Sequence, residues 1–304
     1  VDQELATANQ LCQWLGYLPL GLELVARYLL VYDTDTLEEV LAELQDEQLK
    51  AEAIIEPDAD EGDMTAQRGV ASAFQLSYQK LSLEAQELGC YLSLFKAESF
   101  DWQWVIDNYD LAEENDKKRA KRLQKLRDKE LRKFALLDIS EEKPSLTASV
   151  EKGGSSKPLF NFHPLIARYF ASKLTELGKA EEFKRRFTKV MAKLAGLIDY
   201  RPTKQQIDDF RVVVPHLITV ATEMIDFAED DDLVGYFVSL GYFYEGQTVY
   251  GETEKWLKKG REVCQQRLGK DNSAVSLCLH NLALLYESQG KYEEAEPLYQ
   301  QALE

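Results

Sequence analysis

The sequence predicts a mainly α fold in three parts: a helical subdomain, a subdomain of three helices with a small β-hairpin, and a C-terminal α-helical solenoid. Three observations support this prediction. Apolar residues recur at helical spacing along most of the 304 residues. Two short segments alternate as strands do. Near the C-terminus one pattern recurs after 42 residues, which is typical of stacked helical repeats.

Residues 1–55 predict three amphipathic helices that form the helical subdomain. Gly16 ends the first helix as its C-cap, Pro19 lies in the turn before the second, and Thr36 caps the third. Residues 56–69 begin with EPDADEGD and predict an acidic linker.

The pattern over residues 70–177 predicts five further helices, the last of them starting at Pro164, and two strands. Ser82 and Gln86 resemble the capping pattern that opens a helix. The strands are expected at 135–139 and 158–162, joined by a polar loop. Three helices and a two-stranded wing make a winged-helix arrangement.

One of these helices, Lys117–Lys133, is strongly basic. Because a winged helix is a DNA-binding shape, this helix could be a recognition helix. However, the basic residues surround the helix instead of forming one face, and the net charge is −17. We therefore expect neither nucleic acid nor an anionic membrane as partner. The alternative is a transcription regulator that contacts DNA through Lys121, Arg122 and Lys125 while its repeats bind an effector.

Residues 178–230 predict a helical linker or repeat-like bundle, and 231–304 predict the solenoid. Six residues of the solenoid pattern recur after 42 residues: Leu240, Tyr244, Glu245, Tyr250, Glu252 and Glu254, then Leu282, Tyr286, Glu287, Tyr292, Glu294 and Glu296. Such a period over paired helices marks repeat units that bury a continuous core by stacking.

Asn281–Leu303 resembles a tetratricopeptide repeat, and the 42-residue spacing is similar to the kinesin light chain variety. In the first copy Thr253 and Gly260 replace two small alanines. The resemblance implies that the first helix of each pair lines a groove for a protein or peptide ligand. The groove residues it implies are Ser239, Tyr242, Glu245, His280, Asn281, Leu284 and Glu287. For each of them, a solvated surface position is the alternative.

Three earlier segments resemble motifs of the NB-ARC proteins, which are signalling ATPases of the STAND class. Leu15–Leu22 resembles their GLPL motif, Tyr78–Phe95 the start of their winged helix, and Phe162–Leu165 their MHD-type motif. The resemblance implies that Pro19 packs against the adenine of ADP and that His163 reaches its β-phosphate. A histidine beside a helix N-terminus can donate a hydrogen bond to a phosphate. The alternative is that it only caps the helix.

The phosphate-binding GxxxxGK[ST] motif does not occur in this sequence. We therefore expect the chain to be an excerpt that follows a nucleotide-binding subdomain and has no ATPase activity of its own. In the parent protein the cofactors would be ADP or ATP with magnesium, and that upstream subdomain would be a partner. Ligand-induced homo-oligomerisation of the parent is a further expectation, and a plain adaptor is the third hypothesis.

Four scattered cysteines without CxxC spacing indicate a reducing cytoplasm: Cys12, Cys90, Cys264 and Cys278. Cys264, Cys278 and His280 match no zinc spacing, so we expect buried thiols and no metal site. His216 is expected to pack between helices. No arrangement of catalytic residues, signal segment or membrane span is predicted.

Overall fold

The computed structural model describes residues 2–32, 36–51, 61–109, 115–144 and 156–303. Fifteen α-helices and one small three-stranded sheet lie within these residues, so the predicted mainly α fold is confirmed. The chain divides into two compact units, Val1–Ser140 with Phe160–Ala180 and Glu141–Leu159 with Glu181–Glu304. The first unit therefore contains the predicted helical subdomain and the helices of the predicted winged-helix subdomain, whereas residues 141–159 of its wing are assigned to the second unit.

The first unit holds eight helices: α1 (Asp2–Trp14), α2 (Pro19–Val31), α3 (Leu37–Ala51), α4 (Glu61–Gln79), α5 (Leu83–Leu92), α6 (Trp102–Ile106), α7 (Asp116–Leu126) and α8 (Pro164–Glu176). Gly16 adopts a positive φ of 61° after α1, as its predicted capping role requires. Thr36 caps α3 by accepting a hydrogen bond from the backbone N–H of Glu39.

Helix α4 corrects the predicted linker, because residues 61–69 are its first turns. Acidic residues are favourable at a helix N-terminus, so the charge that indicated a linker is also compatible with a helix. Gly69 lets α4 approach α1, since a Cβ there would lie 3.0 Å from the carbonyl oxygen of Trp14. Residues 56–60 lie outside the described residues.

Aromatic side chains from α4 and α8 form much of the core of the first unit. The ring centroid of Phe74 lies 4.0 Å from that of Tyr169 and 5.1 Å from that of Phe170, and Phe162 stacks on Phe170 at 5.2 Å. Gly89 on α5 is required here, because a Cβ would meet the Phe170 ring at 2.1 Å. This packing fixes the start of α8, where His163 lies.

The sheet contains β1 (Phe100–Asp101), β2 (Asp138–Pro144) and β3 (Ser156–Asn161), in the order β1-β3-β2. The two-residue β1 was not predicted. β2 begins at Asp138 instead of 135, because Ala135 takes a positive φ of 55° that a strand cannot contain. The winged-helix arrangement of three helices and a hairpin is otherwise present.

The start of α5 differs in detail from the predicted capping pattern. The Ser82 side chain accepts from the N–H of Ala85, as predicted. Gln86 instead donates its side-chain amide to the carbonyls of Tyr78 and Leu81, because it lies one residue beyond the position that can reach back to the Ser82 N–H.

The basic helix α7 continues as a π-helical turn over Arg127–Leu131. Leu123, Leu126, Leu131 and Phe134 are buried, as predicted. The step of five residues from Leu126 to Leu131 matches the wider π turn, which brings both leucines to the same buried face.

The second unit contains α9 (Ala180–Ala195), α10 (Lys204–Phe210), α11 (Val214–Thr219), α12 (Leu233–Glu245), α13 (Tyr250–Leu268), α14 (Ser273–Ser288) and α15 (Tyr292–Leu303). The pairs α12–α13 and α14–α15 pack consecutively and form the predicted solenoid. Cys264 and Cys278 are fully buried between helices. His216 is also buried, and its ring contacts that of Phe187 edge to face.

No helix within the described residues has the length and apolar character that a membrane crossing requires. The described residues also bring together no group of three or more histidine, cysteine or acidic side chains that could hold a metal ion.

Candidate functional site

Helices α12 and α14 carry all seven predicted groove residues, six of which form three pairs of equivalent positions 42 residues apart. Asn272 begins α14 by accepting a hydrogen bond from the N–H of Ala274 at 2.9 Å. Gly241 lets α13 approach α12, because a Cβ there would lie 3.1 Å from the Leu257 side chain. The first helices of both pairs, α12 and α14, also pack against each other.

Ser239 does not line an open groove, which corrects the prediction. It is 5% exposed, and its hydroxyl donates to the carbonyl oxygen of Ala195 at 2.8 Å. The neighbouring Val238 is buried in the same way. The carbonyl of Ala195 at the end of α9 also accepts from the N–H of Ile198 at 3.0 Å, so Ser239 adds a second donor to it.

Asn281 is also 5% exposed, so its amide is not free for a peptide backbone as expected. Its side-chain nitrogen donates to the carbonyl of Leu277 at 2.8 Å, and its side chain also forms a hydrogen bond with the Tyr242 hydroxyl. Asn281 therefore positions Tyr242 instead of facing a ligand.

Tyr242, Glu245 and Leu284 are half-buried and remain partly accessible. The ring of Tyr242 meets that of Tyr200 edge to face, with centroids 5.2 Å apart. Burial raises the pKa of the Glu245 carboxyl, and the Arg201 guanidinium acts in the opposite direction. An aromatic surface thus lies beside a partly desolvated carboxylate.

His280 and Glu287 are exposed on α14 and are linked through Tyr299 of α15. The His280 ring lies 5.7 Å from the Tyr299 ring, and the Tyr299 hydroxyl donates to Glu287 Oε2 at 2.5 Å. Burial, followed by this hydrogen bond, raises the pKa of Tyr299 to about 12. These three side chains form a second polar edge of the groove.

Sequence reasoning missed Tyr200, Arg201 and Tyr299 as groove residues. Tyr200 and Arg201 lie between α9 and α10, outside the 42-residue repeat, so no periodic signal marks them. Tyr299 belongs to the repeat but lies on its second helix. The groove residues that the structure supports are Tyr200, Arg201, Tyr242, Glu245, His280, Leu284, Glu287 and Tyr299.

His163, the predicted nucleotide-sensing residue in the first unit, is exposed and caps α8. Its Nδ1 accepts a hydrogen bond from the N–H of Leu165 at 3.3 Å. An accepting Nδ1 carries no proton, so the proton of the neutral ring is on Nε2, which can donate to another group. His163 therefore caps α8, as the alternative interpretation predicts, and its Nε2–H is the donor that remains for another group.

Pro19 is the exposed first residue of α2, and two charged residues of the same helix act on Asp138 at the start of β2. Partial desolvation and then the Glu23 carboxylate raise the pKa of Asp138, while His163 and Arg27 are among the charges that lower it. Glu23 and Arg27 belong to α2, one and two turns after Pro19.

The second unit carries the similarity to known proteins. Residues 236–304 match the family described as tetratricopeptide repeat. No curated protein and no solved structure matches the chain. The match covers α12 to α15 apart from the first three residues of α12, which are the helices that hold the candidate groove, and it indicates a role in protein interaction.

Proposed function

We propose that the chain binds a protein or peptide ligand in the groove of α12 and α14, as the ligand-sensing part of a larger signalling protein. The observation that carries this proposal is the accessible pair of Tyr242 and Leu284, which occupy equivalent positions of the two repeats. Grooves of this kind hold extended or helical peptides through apolar side chains set in a polar rim.

The groove favours a ligand with a basic residue. Glu245 and Glu287 place two carboxylates beside the rings of Tyr242 and Tyr299, while Arg201 is the cation that acts on Glu245. A lysine or arginine side chain can lay its methylene groups on an aromatic ring while its charged end meets a carboxylate.

Selection from a displayed library of random peptides tests this ligand class. We expect the full chain to enrich peptides that contain lysine or arginine. Glu245→Gln should weaken the binding of these peptides about fivefold, because a charged hydrogen bond contributes about 1 kcal/mol or more. Glu262→Gln is the control, because Glu262 is exposed on α13 away from the groove residues. Enrichment of acidic peptides would contradict the assignment.

We further propose that the parent protein is a nucleotide-switched STAND-type ATPase with an NB-ARC module. The order of the GLPL-like, winged-helix and MHD-like segments along the chain supports this. In this proposal Pro19 contacts the adenine of ADP, and the His163 Nε2–H donates to its β-phosphate. The neutral ring suffices for that bond, because the phosphate supplies the charge.

The parent would use ADP or ATP with magnesium, contact this chain through its upstream nucleotide-binding subdomain, and form a homo-oligomer when the ligand binds. The proposal includes a cytoplasmic location, supported by the free thiols among the described residues. Ligand binding and ADP retention would then weaken each other reciprocally.

ADP release from the parent protein tests the switch. With the upstream subdomain present, we expect His163→Ala to increase the ADP off-rate about tenfold. This factor corresponds to the loss of one charge-assisted hydrogen bond that contributes about 1.4 kcal/mol. His280→Ala removes another exposed histidine and should leave the off-rate unchanged. Equal off-rates for wild type and His163→Ala would favour the plain adaptor, in which the nucleotide motifs have no role.

A further inference from the structure

Helix α7 and its continuation present a row of exposed lysines. We call this surface the lysine face, and it consists of Lys117, Lys118, Lys121, Lys125, Lys129 and Lys133. Among the described residues, no carboxylate lies within ion-pair distance of any of these six ammonium groups. The net charge of −17, which argued against nucleic acid as a partner, is therefore unevenly distributed, and this one surface is positive.

The arginines of the same helix, unlike the lysines, are bound to carbonyl or carboxylate groups of the protein. Arg119 is buried, donates to the carbonyl of Ile106 at 2.8 Å and pairs with Asp116. Arg127 and Arg132 both pair with Asp128. This arrangement corrects the expectation that basic residues surround the helix evenly, because the arginines are held by protein groups and the lysines are not.

The remaining charged groups near α7 are likewise occupied. Arg122 pairs with Glu84 of α5 at 3.1 Å, and Glu130 accepts a hydrogen bond from the backbone N–H of Ser82 at 2.8 Å. The acidic side chains of α7 and its π turn are therefore bound to arginines or to the backbone, and none of them pairs with a lysine of this face.

The π turn keeps the lysines in line. In an α-helix, residues four apart drift by roughly 40° around the axis, so Lys117, Lys121 and Lys125 rotate gradually away from one face. In a π turn four residues fall short of a full turn by roughly 30°, which offsets the drift before Lys129 and Lys133. From Lys117 to Lys129 the row extends over about 18 Å at roughly 1.5 Å per residue, and Lys133 follows in the turn after the helix.

We propose that the lysine face binds double-stranded DNA with little sequence specificity, an activity beyond the peptide-binding and nucleotide-sensing roles proposed above. The order β1, α6, α7, β2, β3 with sheet order β1-β3-β2 makes α7 the helix that precedes the wing. In helix-turn-helix proteins the second helix of the motif enters the major groove. Evenly spaced lysines meet the phosphates of a duplex, which supply most of non-specific affinity.

Anionic lipid fits this surface less well than a duplex. Membrane-bound helices insert an apolar face beside their basic one, whereas the apolar face of α7 is buried in the protein through Leu123, Leu126 and Leu131. The exposed Gln124 is the side chain between the lysines that could read a base edge. Contacts to phosphates would therefore dominate.

Fluorescence anisotropy of a labelled duplex of about 20 base pairs, with the full chain at about 50 to 200 mM salt, tests the proposal. We expect micromolar binding at the lower salt and a slope of log affinity against log salt of about −3 to −5. Lys121→Gln with Lys125→Gln should weaken binding about tenfold and reduce the slope by about 2. Lys204→Gln with Lys270→Gln, which removes two exposed lysines elsewhere, should change neither.

All four lysines are exposed and glutamine has a helix propensity close to that of lysine, so both double variants should fold, which thermal denaturation verifies. Absence of binding at the lower salt, or equal losses in the two double variants, would overturn the proposal. Binding to vesicles with phosphatidylserine that is tighter than binding to the duplex would assign the face to a membrane and overturn it as well.

Discussion

The two helix pairs of the solenoid share one sequence pattern but bury it to different extents. Leu257 on α13 is 2% exposed, whereas Tyr299, its equivalent 42 residues later on α15, is half-buried. Val238 on α12 is buried, whereas its equivalent His280 on α14 is exposed. The same sequence pattern therefore gives one helix pair whose residues are buried in the core and a second pair whose equivalent residues are accessible to solvent.

The two helix pairs differ in burial because different numbers of helices pack against them. Helix α12 packs against α11, α13 and α14, and Tyr236 and Ser239 donate hydrogen bonds to carbonyls of α9. Helix α15 packs mainly against α14, and Ala295 is its one buried residue. In a solenoid each unit is stabilised by the units beside it, so equivalent positions differ in energy according to what covers them.

The largest expected difference in the free energy of unfolding is between substitutions of Leu257 and of its equivalent Tyr299. We expect Leu257→Ala to lower the free energy of unfolding by about 2–5 kcal/mol, because the cavity lies in the buried cluster with Val238 and Cys278. Tyr299→Ala at the equivalent position should cost about 1 kcal/mol or less, because solvent replaces much of the lost side chain. Urea denaturation measures both. Equal losses would show that the second pair is as tightly packed as the first.

A second test sharpens the comparison at Gly260, where the repeat pattern carries an alanine in the second pair. A Cβ at Gly260 would lie 2.6 Å from the Cβ of Phe237 and 3.2 Å from Cys278 Sγ. We therefore expect Gly260→Ala to destabilise the chain by about 1–3 kcal/mol through overpacking. Gly251→Ala on the same helix meets open space and should be neutral or slightly stabilising. A stabilising Gly260→Ala would contradict this account.

A smaller effect distinguishes Glu254 from its equivalent, Glu296. The Glu254 carboxylate accepts from Lys258 Nζ at 2.5 Å and from the Tyr286 hydroxyl at 2.7 Å, and these hydrogen bonds lower its pKa. We expect Glu254→Gln to cost about 1 kcal/mol at neutral pH. Glu296 is exposed on α15, so Glu296→Gln should cost nothing measurable.

The pH dependence of this effect has a defined sign. Because the pKa of Glu254 is lower in the folded state, its contribution is complete above the unfolded pKa and is lost as the pH falls through the folded pKa. The difference in unfolding free energy between wild type and Glu254→Gln should therefore shrink in acid. A difference that stays constant down to about pH 2 would show that the carboxylate charge is not involved.

The sequence predicted the helices and the repeat because both depend on periodicity within a short stretch. It also predicted caps such as Thr36, which depend on residues three positions apart. It could not predict that Ser239 and Asn281 are buried, because the groups that cover them lie elsewhere in the chain: Ala195 at the end of α9, and Tyr242 on α12. Exposure of a repeat position depends on long-range packing.

The contacts of the basic helix α7 were also only partly predictable from the sequence. The leucine step from 126 to 131 was visible in the sequence and is explained by the π turn. The separation of arginines from lysines was not visible, because it depends on partners such as Ile106 and Glu84 in other elements. The additional groove residues Tyr200 and Arg201 also lie outside any repeat, so only folding brings them to Tyr242 and Glu245.

The affinity of a library-selected peptide for groove variants tests the central claim most directly. We expect Leu284→Ala to weaken binding at least about tenfold, because Leu284 is an accessible apolar residue of the groove. Tyr292→Ala removes a large exposed side chain at the start of α15 and should leave the affinity unchanged. Equal affinities of wild type and Leu284→Ala, or a loss confined to Tyr292→Ala, would contradict a ligand site in the groove of α12 and α14.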